Sequence, residues 1–86
     1  MKTRTVIAKD LKIGQIVLDL LEFPNRQRHS KVVKIEKGLV GLEIIKDYFS
    51  AFEGQLMWYD LRNSAATFDV IENIDYNKIW ENIIHE

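Results

Sequence analysis

The side chains that could move protons, hold a metal or attack a bond are few and scattered. The 86-residue chain has two histidines, His29 and His85, and no cysteine. His29 lies in the basic stretch Arg26-Gln27-Arg28-His29-Ser30-Lys31, where neighbouring cations disfavour an imidazolium and pull its pKa down. Ser30, Ser50 and Ser64 offer hydroxyls, but none sits in a nucleophile context such as G-x-S-x-G. Without cysteine there is no disulfide, and two isolated histidines have no metal-ligand spacing. Gly14, Gly38, Gly41 and Gly54 stand apart, each suited to a turn or bulge rather than to a phosphate-cradling loop. A chain this short also has little material for a pocket and its supporting shell. The expectation is a protein without catalytic residues, metal or cofactor.

Charge is the stronger signal, because it is sorted along the chain. Residues 1–37 hold nine Lys/Arg against four Asp/Glu, and residues 38–86 hold three against nine. The densest part is Arg26, Arg28, His29, Lys31, Lys34 and Lys37. A basic patch is the footprint of an anionic partner, and phosphate contacts from such groups give affinity without sequence information. The pI near 6.1 argues against a dedicated nucleic-acid binder, which usually carries net positive charge. Strict alternation along Lys31–Glu36 puts Lys31 with Val33 and Ile35, and Arg28 with Lys34 on the other face. Glu36, Glu43 and Asp47 on the neighbouring strand are the acids placed to answer these cations. Arg26 and Arg28, in the connector, are the charges least expected to be answered internally.

The elements that must carry these residues read as short strands. Thr5–Ile7 is β-branched, and Asp10–Gln15 contains a glycine turn. Ile16–Phe23 is a strand ended by Pro24-Asn25, and Arg26–His29 is a connector or the start of the next strand. Lys31–Glu36 and Leu39–Ile45 flank Lys37-Gly38 as the clearest hairpin in the chain. Tyr48–Gly54 reads as a helical turn or an aromatic loop. Gln55–Leu61 and Ala66–Ile71 complete the strands. Asp75 suits an N-cap, and Tyr76, Ile79, Trp80, Ile83 and Ile84 recur at helical spacing up to His85. So short a helix must dock on the sheet to persist.

The expected fold is mainly β: one domain over residues 1–86, with a small five- to six-stranded antiparallel barrel over about 4–72 and a C-terminal helix over about 75–85. An open antiparallel sheet with the helix across one face is the alternative. The opening Val6-Ile7-Ala8-Lys9-Asp10-Leu11-Lys12-Ile13-Gly14-Gln15-Ile16-Val17 resembles the start of small SH3-like barrels, where a first strand leads through a D-L-x-x-G turn into a second. Lys31–Ile35, Leu39–Leu42 and Phe68–Ile71 resemble their later strands. The resemblance implies a binding module, since such barrels bind peptides, nucleic acids or proteins and are seldom catalytic. The Tyr48–Gly54 excursion and the terminal helix depart from that pattern.

Leu56-Met57-Trp58-Tyr59 puts large side chains on both faces of one strand, so one face is core. The other is covered by the helix through Trp80 and Ile83, or is an exposed patch of interface character. The expected function is therefore association with another protein or with itself, with nucleic-acid binding through 26–37 as the alternative. The candidate binding residues are Arg26, Arg28, His29, Lys31, Lys34, Trp58 and Tyr59. The size suits a small accessory or inhibitor protein of the kind phages and mobile elements encode. No export signal or membrane-spanning run is expected, which makes the cytoplasm the default compartment.

Overall fold

A computed structural model describes residues 2–20, 27–47, 49–62 and 66–72. The expected C-terminal helix at about 75–85 and the candidate residue Arg26 fall outside the described residues. Among those described, the chain forms β1 (Thr3–Ile7), β2 (Ile16–Leu20), β3 (Gln27–Glu36), β4 (Leu39–Asp47), β5 (Leu56–Asp60) and β6 (Thr67–Ile71). Short 3₁₀ turns occupy Ala8–Asp10 and Ser50–Phe52. The second is the compact form taken by the aromatic excursion.

All neighbouring strands pair antiparallel, in the order β1-β6-β2-β3-β4-β5. β1 and β5 are the edges, and no ladder joins them among the described residues. The closed barrel is therefore corrected to one open sheet. What replaces closure is visible in the side chains. The sheet curls until Tyr59 on β5 meets Phe68 on β6, with ring centroids 5.5 Å apart in an edge-to-face arrangement. The contact is between side chains and leaves the outer backbone edge of β5 without a ladder among the described residues.

The curl follows from irregularities in the longest strand pair. The β3–β4 register shifts between His29 and Ser30 and again between Val32 and Lys34. Each such bulge adds a residue on one strand, bends it and increases its twist. The turn joining these strands is Lys37-Gly38, with φ of +50° and +77°, and Glu36 pairs directly with Leu39. Positive φ at both central residues matches the right-handed twist of the strands. Glycine adopts it freely, and Lys37 carries the strain.

Inside the curl, the core is Leu11, Val17, Val32, Val40, Leu42 and Val70, with Val6, Met57, Leu61 and Phe68 packed around it. The register explains the grouping. Val17 faces Val70, Val32 faces Leu42, and Leu42 faces Met57, so one sheet face collects the apolar side chains. The core sits on the concave face, and the convex face of β3, β4 and β5 carries Lys31, Lys34 and Trp58.

Candidate functional site

The basic segment is divided by its own strand. β3 begins at Gln27, so Arg28 belongs to the sheet rather than to a loose connector. Its pairing with Asp19 on β2 and Asp47 on β4 places it between two carboxylates. Arg28 Nε donates to Asp47 Oδ1 at 2.9 Å, and Asp47 Oδ2 accepts the Phe49 backbone N–H at 3.0 Å. The Arg28 guanidinium carbon lies 5.5 Å from the Phe52 ring centroid, and Nη1 is 3.9 Å from Met57 Sδ. Asp47 is buried. The expectation that Arg28 is unanswered internally is thus overturned: a buried carboxylate on the adjacent strand needs its charge there.

His29 and Ser30 are also buried. His29 Nε2 lies 3.0 Å from Gln27 Oε1, so a neutral ring protonated on Nε2 donates to it. Burial lowers the His29 pKa to about 4. The direction agrees with the sequence reading, but loss of hydration, not the surrounding cations, is the cause. Ser30 Oγ is buried with no hydrogen-bond partner among the described residues.

Past Ser30 the strand turns outward. Lys31 and Lys34 are both exposed. The bulge at Val33 places Lys31 opposite Glu43 and Lys34 opposite Gly41, so both lysines share the convex face. Strict alternation had separated them. A single inserted residue reverses a period of two, and the adjacent pair Val32-Val33 was the only trace of it in the sequence.

The same register carries the aromatic candidate to the same place. Gly41 faces Lys34 on one side and Trp58 on the other. A Cβ at Gly41 would lie 3.1 Å from Trp58 Cζ3, 3.2 Å from Cη2 and 3.4 Å from Lys34 Cβ. Gly41 is therefore not in a turn; it lies on β4 opposite the bulge at Val33. It is the gap in the middle of β4 that lets the indole settle on the sheet beside the Lys34 stem. Trp58 remains 45% exposed and its strand neighbour Leu56 47% exposed, with Leu39 exposed nearby on β4. Leu56, Trp58 and Leu39 share the convex face.

Tyr59 points the other way. Its ring packs on Phe68, and it borders an open cleft of about 480 Å³ with Leu18, Asp19, Ala66, Thr67 and Asp69. Burial pushes the Tyr59 pKa up, and the Asp19 carboxylate adds to the effect. Burial likewise raises Asp19, with Arg28 pulling in the opposite direction. Of the predicted residues, the structure brings together Lys31, Lys34 and Trp58. It separates Arg28, His29 and Tyr59 from them.

The two sheet edges differ in chemistry. β1 carries Arg4 and follows Lys2, with Arg4 Nε 2.8 Å from Glu72 Oε1. Charged side chains of this kind blunt an edge against further pairing. β5 is Leu-Met-Trp-Tyr-Asp, with neither lysine nor proline, and its one carboxylate is held in a fork by Arg62 at 2.6–3.0 Å. The Arg62 bonds hold the Asp60 carboxyl below its usual range.

Among the described residues there is no group of three or more His, Asp or Glu placed to hold a metal, and no helix long and apolar enough to cross a membrane. Compared with protein-family models, curated proteins and solved structures, the chain matches none of them.

Proposed function

We propose that the chain is a non-catalytic binding module that works by protein association through the convex face of β4 and β5. The observation that carries this reading is Trp58. An indole seated on a glycine shelf, half in solvent, flanked by exposed Leu39 and Leu56, has the composition of an interface centre rather than of an ordinary surface. Large aromatic side chains of this kind dominate binding energy when a partner finishes burying them. A small accessory or inhibitor protein is the role that fits such a module.

One observation favours a second reading. Lys31 and Lys34 stand on the same face as Trp58, and lysines beside a stacking ring are how single-stranded nucleic acids are gripped. Glu43 opposite Lys31, with Asp60 on the same face, opposes a polyanion there, so protein association ranks first.

The test uses the full chain as bait in a lysate, with and without nuclease, beside Trp58→Ala. Retained protein that survives nuclease and is lost with Trp58→Ala, while the variant's melting curve stays close to wild type, supports the reading. Capture abolished by nuclease moves the assignment to nucleic acid. A collapse of the fold in Trp58→Ala makes the residue structural and ends the proposal.

A further inference from the structure

The hydrogen-bond pattern of β5 fixes which of its backbone groups are free. Ile44 N–H donates to Gln55 O at 2.9 Å and Leu61 N–H donates to Gly38 O at 2.8 Å. These two bonds and the intervening register put Gln55, Met57, Tyr59 and Leu61 in the bonded set toward β4. In an antiparallel ladder the alternate residues turn their N–H and C=O groups the opposite way. Leu56, Trp58 and Asp60 therefore present a row of donors and acceptors to the outer edge, which no described strand occupies.

We infer that this edge takes a second copy of the same chain, β5 against β5, antiparallel about a two-fold axis at Trp58. The inference rests on the binding reading above and names its occupant. A two-fold interface lays one patch on itself, so it tolerates no charge that meets its own image. With the axis at Trp58 all five residues of β5 overlap. Each Leu56 faces Asp60 of the second copy, and Trp58 faces Trp58. No like charges stand opposite each other. Arg62 follows β5 and Glu53 precedes it, so antiparallel pairing turns the Arg62 end of each copy toward the Glu53 end of the other, and opposite charges lie toward each other at both ends. Arg62 spends part of its fork on Asp60 and has donors left for a second carboxylate. Met57 and Tyr59 extend toward the concave side, and Leu56 and Trp58 form an aromatic and aliphatic cross-strand cluster on the convex side. The two sheets become one of twelve strands. β1 is unsuited to the same pairing, since Lys2 and Arg4 border Thr3.

The experiment is sedimentation of the full chain from about 1 µM to about 200 µM, because a self-association equilibrium is set by concentration. The mass should double across the range. Trp58→Lys and Trp58→Glu should each be monomeric throughout, since each places like charges on the axis, and mixing the two should restore the dimer. A wild type that stays monomeric overturns the inference. So does a dimer that both variants retain, or a mixture that does not associate. If either variant proves unfolded, amide exchange on the wild type decides. The Leu56, Trp58 and Asp60 amides should be protected at high concentration and exchange freely at low concentration, and protection independent of concentration overturns the inference. A monomeric wild type that still loses a nuclease-resistant partner with Trp58→Ala sinks self-pairing alone and leaves the binding reading in place.

Discussion

The two halves of β3 do opposite work on one continuous strand. From Gln27 to Ser30 the polar side chains are half-buried or buried: Arg28 bonds Asp47, His29 bonds Gln27, and Ser30 is fully buried. From Lys31 to Glu36 the charged side chains stand in solvent, and only Val32 is fully buried. The residue types hardly differ between the halves. What differs is the strand opposite. Arg28 faces a buried carboxylate, whereas Lys34 faces a glycine and an exposed indole. Positive charge in a sequence thus acquires its role from the register of its neighbours, and a compact basic segment can be a structural ion pair at one end and a surface at the other.

The sharpest way to break this contrast is Arg28→Ala. It strands a buried carboxylate whose remaining described partner is the Phe49 amide, and loss of one member of such a pair costs about 3 kcal/mol or more. That is a large share of the stability of so small a domain, so the midpoint of urea unfolding should fall sharply. A drop no larger than that for Lys34→Ala would erase the distinction between the halves. It also follows that Arg28→Ala is a poor probe of binding, because it perturbs the fold first.

The second test is pH. His29 has a folded pKa near 4 against 6.5 for a free imidazole. The unfolded chain therefore takes up a proton that the folded chain refuses, and stability present above about pH 6.5 declines as pH falls toward 4. Asp19, raised by burial, acts with the opposite sign as it protonates. Imidazole NMR separates them: the His29 resonance should stay neutral until about pH 4. A His29 titration midpoint near 6.5 would place the ring in solvent.

Smaller effects sharpen the boundary. Ser30→Ala removes a buried hydroxyl without a partner among the described residues and should be neutral or stabilising by up to about 1 kcal/mol in thermal unfolding. A loss above that size would reveal a hydrogen bond to Ser30. Beyond the boundary, Lys31→Ala with Lys34→Ala should shift stability by no more than about 0.5 kcal/mol, as exposed substitutions do. A larger cost, read from the same denaturation curves, would mean that the convex face is part of the scaffold.

The sequence made the hairpin around Lys37-Gly38 readable, because the two-residue glycine turn and the flanking alternation are local signals. Strand count and antiparallel pairing were readable for the same reason. The bulge at Val33 was not, since two residues opposing one is decided by the partner strand. Arg28 was misread for a related reason. Its charge looked like solvent, and Asp47, correctly seen as an acid on the neighbouring strand, gave no sign of being buried. The open seam was hidden too, because the contact between Tyr59 and Phe68 joins residues of ordinary strand character that only the curl brings together. Trp58 was legible as a candidate, but its seat on Gly41 required the register.

The Lys37-Gly38 turn also bears on the order of assembly. β3, β4 and β5 follow one another in the chain, so their pairing closes only short loops, whereas β1 and β6 meet across almost the whole described length, with Thr5 bonding Asp69 over 64 residues. Short-range pairing is kinetically favoured over long-range closure. On sequence separation alone, the β3–β4–β5 meander holding Gly41 and Trp58 is expected to pair before β1 docks on β6. The convex face of β4 and β5 would be built before the rest of the sheet, so the outer edge of β5 is exposed from the earliest stage of folding.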